Sequence, residues 1–206
     1  MGNRVAGVLL AAGQGTRLGT PKALVELGGR RLVDRAAGLL RDAGTAPVLV
    51  VTGAAPVSVP GAVGVPNPDW RTGMGSSLAA GLRALPGDCA AAVVALVDQP
   101  LIGPDVVRRL LAAHLAGAEL AVAGYHGRAR NPVLLARGHW AGVLAAADGD
   151  TGARPYLRAH PGLVTLVECA DIGRPDDVDT PEDLARVGAV LSACPAGPWP
   201  APLGAR

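Results

Sequence analysis

Apolar runs and helical periods take turns along this chain, with glycine or proline at most of the joins. Val5–Leu10 is a continuous apolar run feeding a glycine-rich turn, the pattern of a buried strand opening into a loop. From Arg31 to Asp42 the period changes: Leu32, Val33, Ala36, Leu39 and Leu40 recur at helical spacing, and Gly44 stands where a helix C-cap belongs. Pro47–Thr52 and Gly61–Val65 read as strands, and Ser76–Leu85 as a helix stopped by Pro86 and Gly87. Ala91–Val97 is apolar throughout, as a central strand buried on both faces must be. Pro104–Leu115 is a helix with proline in its first turn. Glu119–Gly124 and Pro132–Leu135 are further strands, the second a candidate edge strand because of its proline. His139–Ala147 and Ala153–His160 are short helices, Leu163–Glu168 a strand, and Pro181–Leu191 the last helix. Strands alternating with helices predict an α/β fold with a largely parallel sheet, one domain over residues 1–191. Four prolines, two glycines and no periodicity predict a disordered tail over 192–206.

The loop after the first strand, Leu10 to Lys22 (LAAGQGTRLGTPK), carries the densest chemistry. Gly13, Gly15 and Gly19 permit close backbone approach and positive φ, so that N–H groups can turn inward on an anion. Arg17 and Lys22 add two cations. Lys22 is the only lysine; the other 18 basic residues are arginine. A compact, flexible ammonium suits a phosphate oxygen, so the loop reads as a nucleotide phosphate cradle, the alternative being a plain glycine-rich surface loop. The dinucleotide fingerprint fails because Leu18 stands where its third glycine is needed, and the P-loop fails because Thr20-Pro21 follows Gly19 and Ala23 follows Lys22.

Asp98 follows the Ala91–Val97 strand, where open α/β sheets bind ligands, so it should converge with Lys22 and is placed to hold a Mg²⁺ bridging nucleotide phosphates. A second carboxylate is expected within Asp176–Asp183; Thr180 before Pro181 can cap the helix alone, which leaves Asp177 and Asp179 without a structural task. Asn67–Leu78 enters a helix through Gly73 and Gly75, with Ser76 and Ser77 near the terminus as anion contacts or as an N-cap. Trp70 in that loop is either a packing anchor or a base stacker. Arg154 is either a bidentate phosphate ligand or a solvated side chain beside a capping Asp150 or Thr151.

Four segments in order resemble the MobA-like nucleotidyltransferases related to the molybdenum cofactor enzymes, with the wording closest to the molybdopterin cytidylyltransferase branch. These are LAAGQGTRLGTPK, Asn67–Leu78, Asp98-Gln99-Pro100 and Asp177–Asp183, and the likeness spans residues 4–190. It implies a three-layer α/β/α sandwich of the Rossmann-like nucleotide-diphospho-sugar transferase type. It implies a nucleotide site at Leu10, Ala11, Ala12, Gly13, Gly15, Arg17, Lys22, Gly73, Ser76, Ser77 and Asp98, with Arg17, Lys22 and Asp98 catalytic. Asp98 and Asp179 would hold Mg²⁺, with Asp177 in reserve. Asn131, Pro132, Asp150 and Arg154 would face the acceptor. The implied reaction moves CMP from CTP onto a phosphorylated acceptor, molybdopterin, and a molybdenum hydroxylase or its insertion chaperone would receive the product. Gly127–Leu134 departs from the family's G-x-x-G-H-P: Arg130 replaces a glycine and Asn131 a histidine, which opens the identity of the acceptor.

Composition mainly excludes. A net charge of +2 without basic blocks, and five aromatic residues, argue against a nucleic-acid surface. No apolar run is long enough to cross a bilayer. The N-terminal run leads straight into the cradle and is not read as a secretion signal. Cys89, Cys169 and Cys194, odd in number and widely spaced, point to a reducing, cytoplasmic setting. Two rival activities remain: the same transfer onto a sugar phosphate or other small phosphorylated acceptor, and an NAD(P)H-dependent oxidoreductase on this fold, like the actinobacterial reductases of a quinone-like pigment.

Overall fold

The computed structural model describes residues 4–193. Its element order is β1 (Arg4–Leu10), β2 (Glu26–Leu27), β3 (Arg30–Arg31), α1 (Leu32–Asp42), β4 (Val48–Thr52), β5 (Val63–Pro66), α2 (Met74–Arg83), β6 (Cys89–Leu96), α3 (Pro104–Leu115), β7 (Leu120–Tyr125), β8 (Arg128–Ala136), α4 (Trp140–Ala146), α5 (Arg154–Ala159), β9 (Val164–Glu168) and α6 (Pro181–Ala193). The tail expected at 192–206 begins inside α6, and its part from residue 194 lies outside the described residues.

Seven strands form one sheet in the order β5-β4-β1-β6-β8-β7-β9, and only β8 runs against the rest. Side-chain alternation sorts the strands between two cores. Ala91, Val93, Ala95 and Val97 face a layer built from α1, α3 and Val187 of α6. Ala92 and Val94, with Val8 and Leu10 of β1, face α2 and α4, with α5 packed alongside. The architecture is therefore a mostly parallel α/β/α sandwich, and β6 is its middle strand.

One expectation is corrected, and one element is new. The strand containing Pro132 lies inside the sheet, between β6 and β7, not at an edge. Its ladder with β7 passes from Val122↔Val133 to Ala123↔Arg130, so Asn131 and Pro132 sit in an irregularity where no ladder N–H is required of proline. The pair β2–β3 was not expected. Its two-residue turn is Gly28-Gly29, at φ +60° and +72°, as a tight hairpin with two left-handed residues demands.

Candidate active site at the carboxyl edge of the sheet

The parallel strands β1 and β6 end side by side, at Leu10 and Leu96, and deliver the glycine loop and Asp98 to the same edge. Loop residues Gly13 to Arg17 keep their N–H groups free of protein acceptors among the described residues. The loop is pinned at its ends: Lys22 N–H donates to the Gly13 carbonyl at 3.3 Å, and Leu18 N–H to that of Gly15 at 2.9 Å. Gly15 takes φ +62°, and a Cβ there would stand 2.1 Å from the Thr20 carbonyl oxygen, so the loop closes only around glycine.

Lys22 begins a single 3-10 turn (Lys22–Leu24) that swings its side chain back under the loop. Its Nζ lies 2.5 Å from Asp98 Oδ2 and 2.5 Å from Asp179 Oδ1. Arg17 reaches the other Asp179 oxygen at 3.1 Å from the solvent side. Burial alone would lower the Lys22 pKa, but the two carboxylates outweigh it and hold the ammonium above its ordinary value. The same bond from Lys22 lowers the Asp179 pKa. Asp98 and Asp179, 81 positions apart in the chain, are neighbours only through folding: Val178 N–H donates to the Asp98 carbonyl at 2.8 Å and fastens the acidic segment beside β6. Helix α6 is capped by its own box, Thr180 Oγ1 accepting from Asp183 N–H while Asp183 Oδ2 accepts from Thr180 N–H, which frees Asp179 for Lys22. Asp177 turns instead to Gln99, whose Nε2 donates at 2.9 Å; partial burial and the Asp98 charge raise its pKa although its surface is largely open.

Asp98 Oδ1 is buried with no hydrogen-bond partner. An orphaned carboxylate oxygen beside a second carboxylate is a hard-oxygen donor set that fits a divalent cation. Among the described residues no group of three or more His, Cys, Asp or Glu is arranged for a metal, so phosphate and water oxygens would complete such a shell.

The second loop turns out differently in detail. Neither Ser76 nor Ser77 is the N-cap: α2 starts at Met74 after Gly73. Both hydroxyls accept from Asn67 Nδ2, at 2.9 and 3.0 Å, and so brace the loop. The cap comes from across the site, where Asp150 Oδ1 accepts from Met74 N–H at 3.2 Å. Gly73, at φ +116°, packs against Gly149 so closely that a Cβ would lie 2.4 Å from its carbonyl carbon. Trp70 packs on Gly53, where a Cβ would lie 2.5 Å from the Trp70 Cβ, and carries the Arg71 guanidinium 4.4 Å above its ring. Trp70 and Arg71 wall a cleft of about 360 Å³ whose other side is Gln14–Thr16 and Gly19–Pro21 of the glycine loop. Ala11 and Ala12 serve the sheet: Ala11 N–H donates to Val51 and the Ala12 carbonyl accepts from Ala54.

Leu10 faces a second cavity, of about 490 Å³, between the sheet and α5. Asn131 and Arg154 line it, whereas Pro132 is buried in the sheet and Asp150 is spent on α2. Arg158 and Arg130 also line it. Arg158 was missed in the sequence, although its i,i+4 spacing from Arg154 was the available signal.

The class that this geometry defines is matched by sequence. The profile of the MobA-like NTP transferase domain fits residues 7–164, and the chain belongs to that family. It is 40% identical over 202 residues to nicotine blue oxidoreductase of Paenarthrobacter nicotinovorans, covering 89% of this chain and 96% of that protein. It is 36% identical over 124 residues to a molybdenum cofactor guanylyltransferase of Rhodobacter capsulatus, covering 56% and 62%. Among solved structures, that of Rv0371c from Mycobacterium tuberculosis in complex with manganese aligns with TM-score 0.74 and 27% identity, over 91% of this chain and 99% of that one.

Proposed function

We propose that the protein transfers CMP from CTP to a phosphorylated acceptor, molybdopterin by family likeness, and releases pyrophosphate. The observation that carries this reading is the single lysine held between Asp98 and Asp179 at the mouth of a loop with five free N–H groups. Those N–H groups and Arg17 would take the triphosphate oxygens, and Lys22 would neutralise charge as pyrophosphate leaves. Asp98 and Asp179 would hold Mg²⁺, which supplies charge neutralisation at the phosphates. The attacking group is an acceptor phosphate oxygen, largely ionised near neutrality, so the reaction needs no general base. Catalysis is then positioning and electrostatics. Ser76, Ser77 and Gly73 frame the nucleoside by shaping the loop, and Asn131 and Arg154 face the acceptor. The product would pass to a molybdenum hydroxylase or its insertion chaperone in the cytoplasm; no helix among the described residues is long and apolar enough to cross a membrane.

Thermal stability with each nucleoside triphosphate, with and without Mg²⁺, tests the reading. A ligand at 100 times its Kd adds about 2.7 kcal/mol. A magnesium-dependent shift with CTP, lost in Asp98→Asn, is the expected result; no shift with any triphosphate would sink it. A second reading, NAD(P)H-dependent oxidoreduction, is favoured by the 40% identity to nicotine blue oxidoreductase. It expects NADPH to shift the melting temperature where CTP with Mg²⁺ does not.

A further inference from the structure

The cavity beside β1 and β6 has a chemistry of its own. Its floor is the sheet face and α2, with Leu10, Leu78, Val94, Leu96, Val122 and Val133 among its lining residues. Every charged side chain that lines it is an arginine: Arg130 from β8, and Arg154 with Arg158 on one face of α5. Elsewhere Arg31, Arg109, Arg174 and Arg186 are each held by an aspartate. Among the described residues no ion pair and no side-chain hydrogen bond involves the three cavity arginines, and no carboxylate lines the cavity.

Three uncompensated guanidiniums over an apolar floor select for two things at once. Guanidinium forks favour a phosphate dianion, which they can grip bidentately. The floor favours a carbon skeleton that gains by leaving water, and it penalises hydroxyls, because only Asn131 and Thr151 add neutral hydrogen-bonding side chains to the lining. We propose that this cavity binds a phosphate monoester on a largely apolar body, not a polyhydroxylated sugar phosphate. The proposal rests on the nucleotidyl-transfer reading of the adjoining loop and narrows its acceptor: the cavity's chemistry favours a more apolar phosphate monoester than the hydrogen-bond-rich pterin that family likeness suggests.

The test titrates the full chain calorimetrically, with Mg²⁺ and α,β-methylene CTP present and absent, using 1-naphthyl phosphate, 1-naphthol, glucose 1-phosphate and inorganic phosphate. The expected result is 1-naphthyl phosphate binding at least tenfold more tightly than each other probe, with or without the nucleotide analogue. Arg158→Ala and Arg130→Gly should each weaken it about tenfold, the loss of one charge-assisted contact. Retention of the wild-type melting temperature shows that a weakened variant is still folded; if one is not, Arg158→Gln takes its place. Equal or tighter binding of glucose 1-phosphate overturns the proposal, as does absence of 1-naphthyl phosphate binding at millimolar concentration. Its displacement by the nucleotide analogue also overturns it, for the probe would then sit in the triphosphate site. If the probe binds as expected while no nucleoside triphosphate binds, the transfer reading fails and the cavity chemistry stands.

Discussion

On one side of the sheet's carboxyl edge, Lys22 is clamped by Asp98 and Asp179, and Arg17 leans on Asp179 from outside. On the other side, Arg130, Arg154 and Arg158 surround an apolar cavity that no carboxylate lines among the described residues. The first region balances its charges internally and is ordered before any ligand arrives. The second leaves its charge to be balanced by whatever binds. Preorganisation is what a loop needs if it must present N–H groups and a cation to developing charge. An unbalanced cationic rim instead gives attraction and selection, and it adapts to the partner.

The largest expected effect breaks the balanced side. Asp98→Asn keeps the shape but removes the carboxylate whose Oδ1 is orphaned and whose Oδ2 holds Lys22. Pyrophosphate release from CTP should fall about 1,000-fold, or about 4 kcal/mol of barrier, with the acceptor cavity's affinity for 1-naphthyl phosphate unchanged. Retention of more than a tenth of the activity would remove Asp98 from the catalytic set.

Next comes the seam between the regions. Gly73→Ala drives a Cβ into the Gly149 backbone and imposes an L side chain at φ +116°. About 3 kcal/mol of stability should be lost, and affinity for CTP and for 1-naphthyl phosphate should fall together, because α2 and the Gly149–Thr151 turn would part. A fall in one affinity alone would show that the two regions are independent.

The balanced side is also the more legible in sequence. A lone lysine among arginines, a glycine loop that fits neither common fingerprint, and an aspartate after the most apolar strand all mark it without coordinates. Pairing of Asp179 with Lys22 depends on the Val178–Asp98 backbone bond, which joins segments 80 positions apart, so only the family likeness chose Asp179 over Asp177. The cavity was far less legible. Its floor is made of strand residues that look like any core, and its mouth depends on β8 running antiparallel inside the sheet, where a proline suggested an edge. The serines of α2 show the same limit: a capping position was readable, but the actual cap, Asp150, lies more than 70 residues away.

Lys22→Met sharpens the electrostatic contrast. It leaves Asp98 and Asp179 facing each other without their shared cation, at a cost of about 2 kcal/mol near neutrality, after discount for the part of the site open to water. In the wild type the Asp179 pKa is lowered below its ordinary 3.8, so its stabilisation is present above that pH and is lost as pH falls through the lowered value. The Lys22 pKa is raised above 10.5, so its stabilisation is present below that pH and is lost as pH rises through the raised value. Melting temperature against pH should therefore lose part of both limbs in the variant. Arg158→Ala on the other side should leave both limbs in place.

The smallest effect concerns how the unbalanced side keeps its shape. Tyr156 lies between Arg154 and Arg158 on α5; its hydroxyl is 2.9 Å from His139 Nδ1, and His139 Nε2 is 2.8 Å from Glu119 Oε2. The ring also packs on Gly142 and stacks on His160, with centroids 4.2 Å apart. This chain of contacts ties α5 to the start of β7, so the helix that carries two of the three cavity arginines is fixed from behind, by groups that never line the cavity. Tyr156→Phe removes the hydroxyl and keeps the ring, for a cost of about 1 kcal/mol. Binding of 1-naphthyl phosphate should weaken about threefold while the CTP-dependent thermal shift stays at its wild-type size. Equal weakening of both ligands would mean that the hydroxyl supports the whole edge and not α5. No change in either would mean that the ring packing alone sets the position of Arg154 and Arg158.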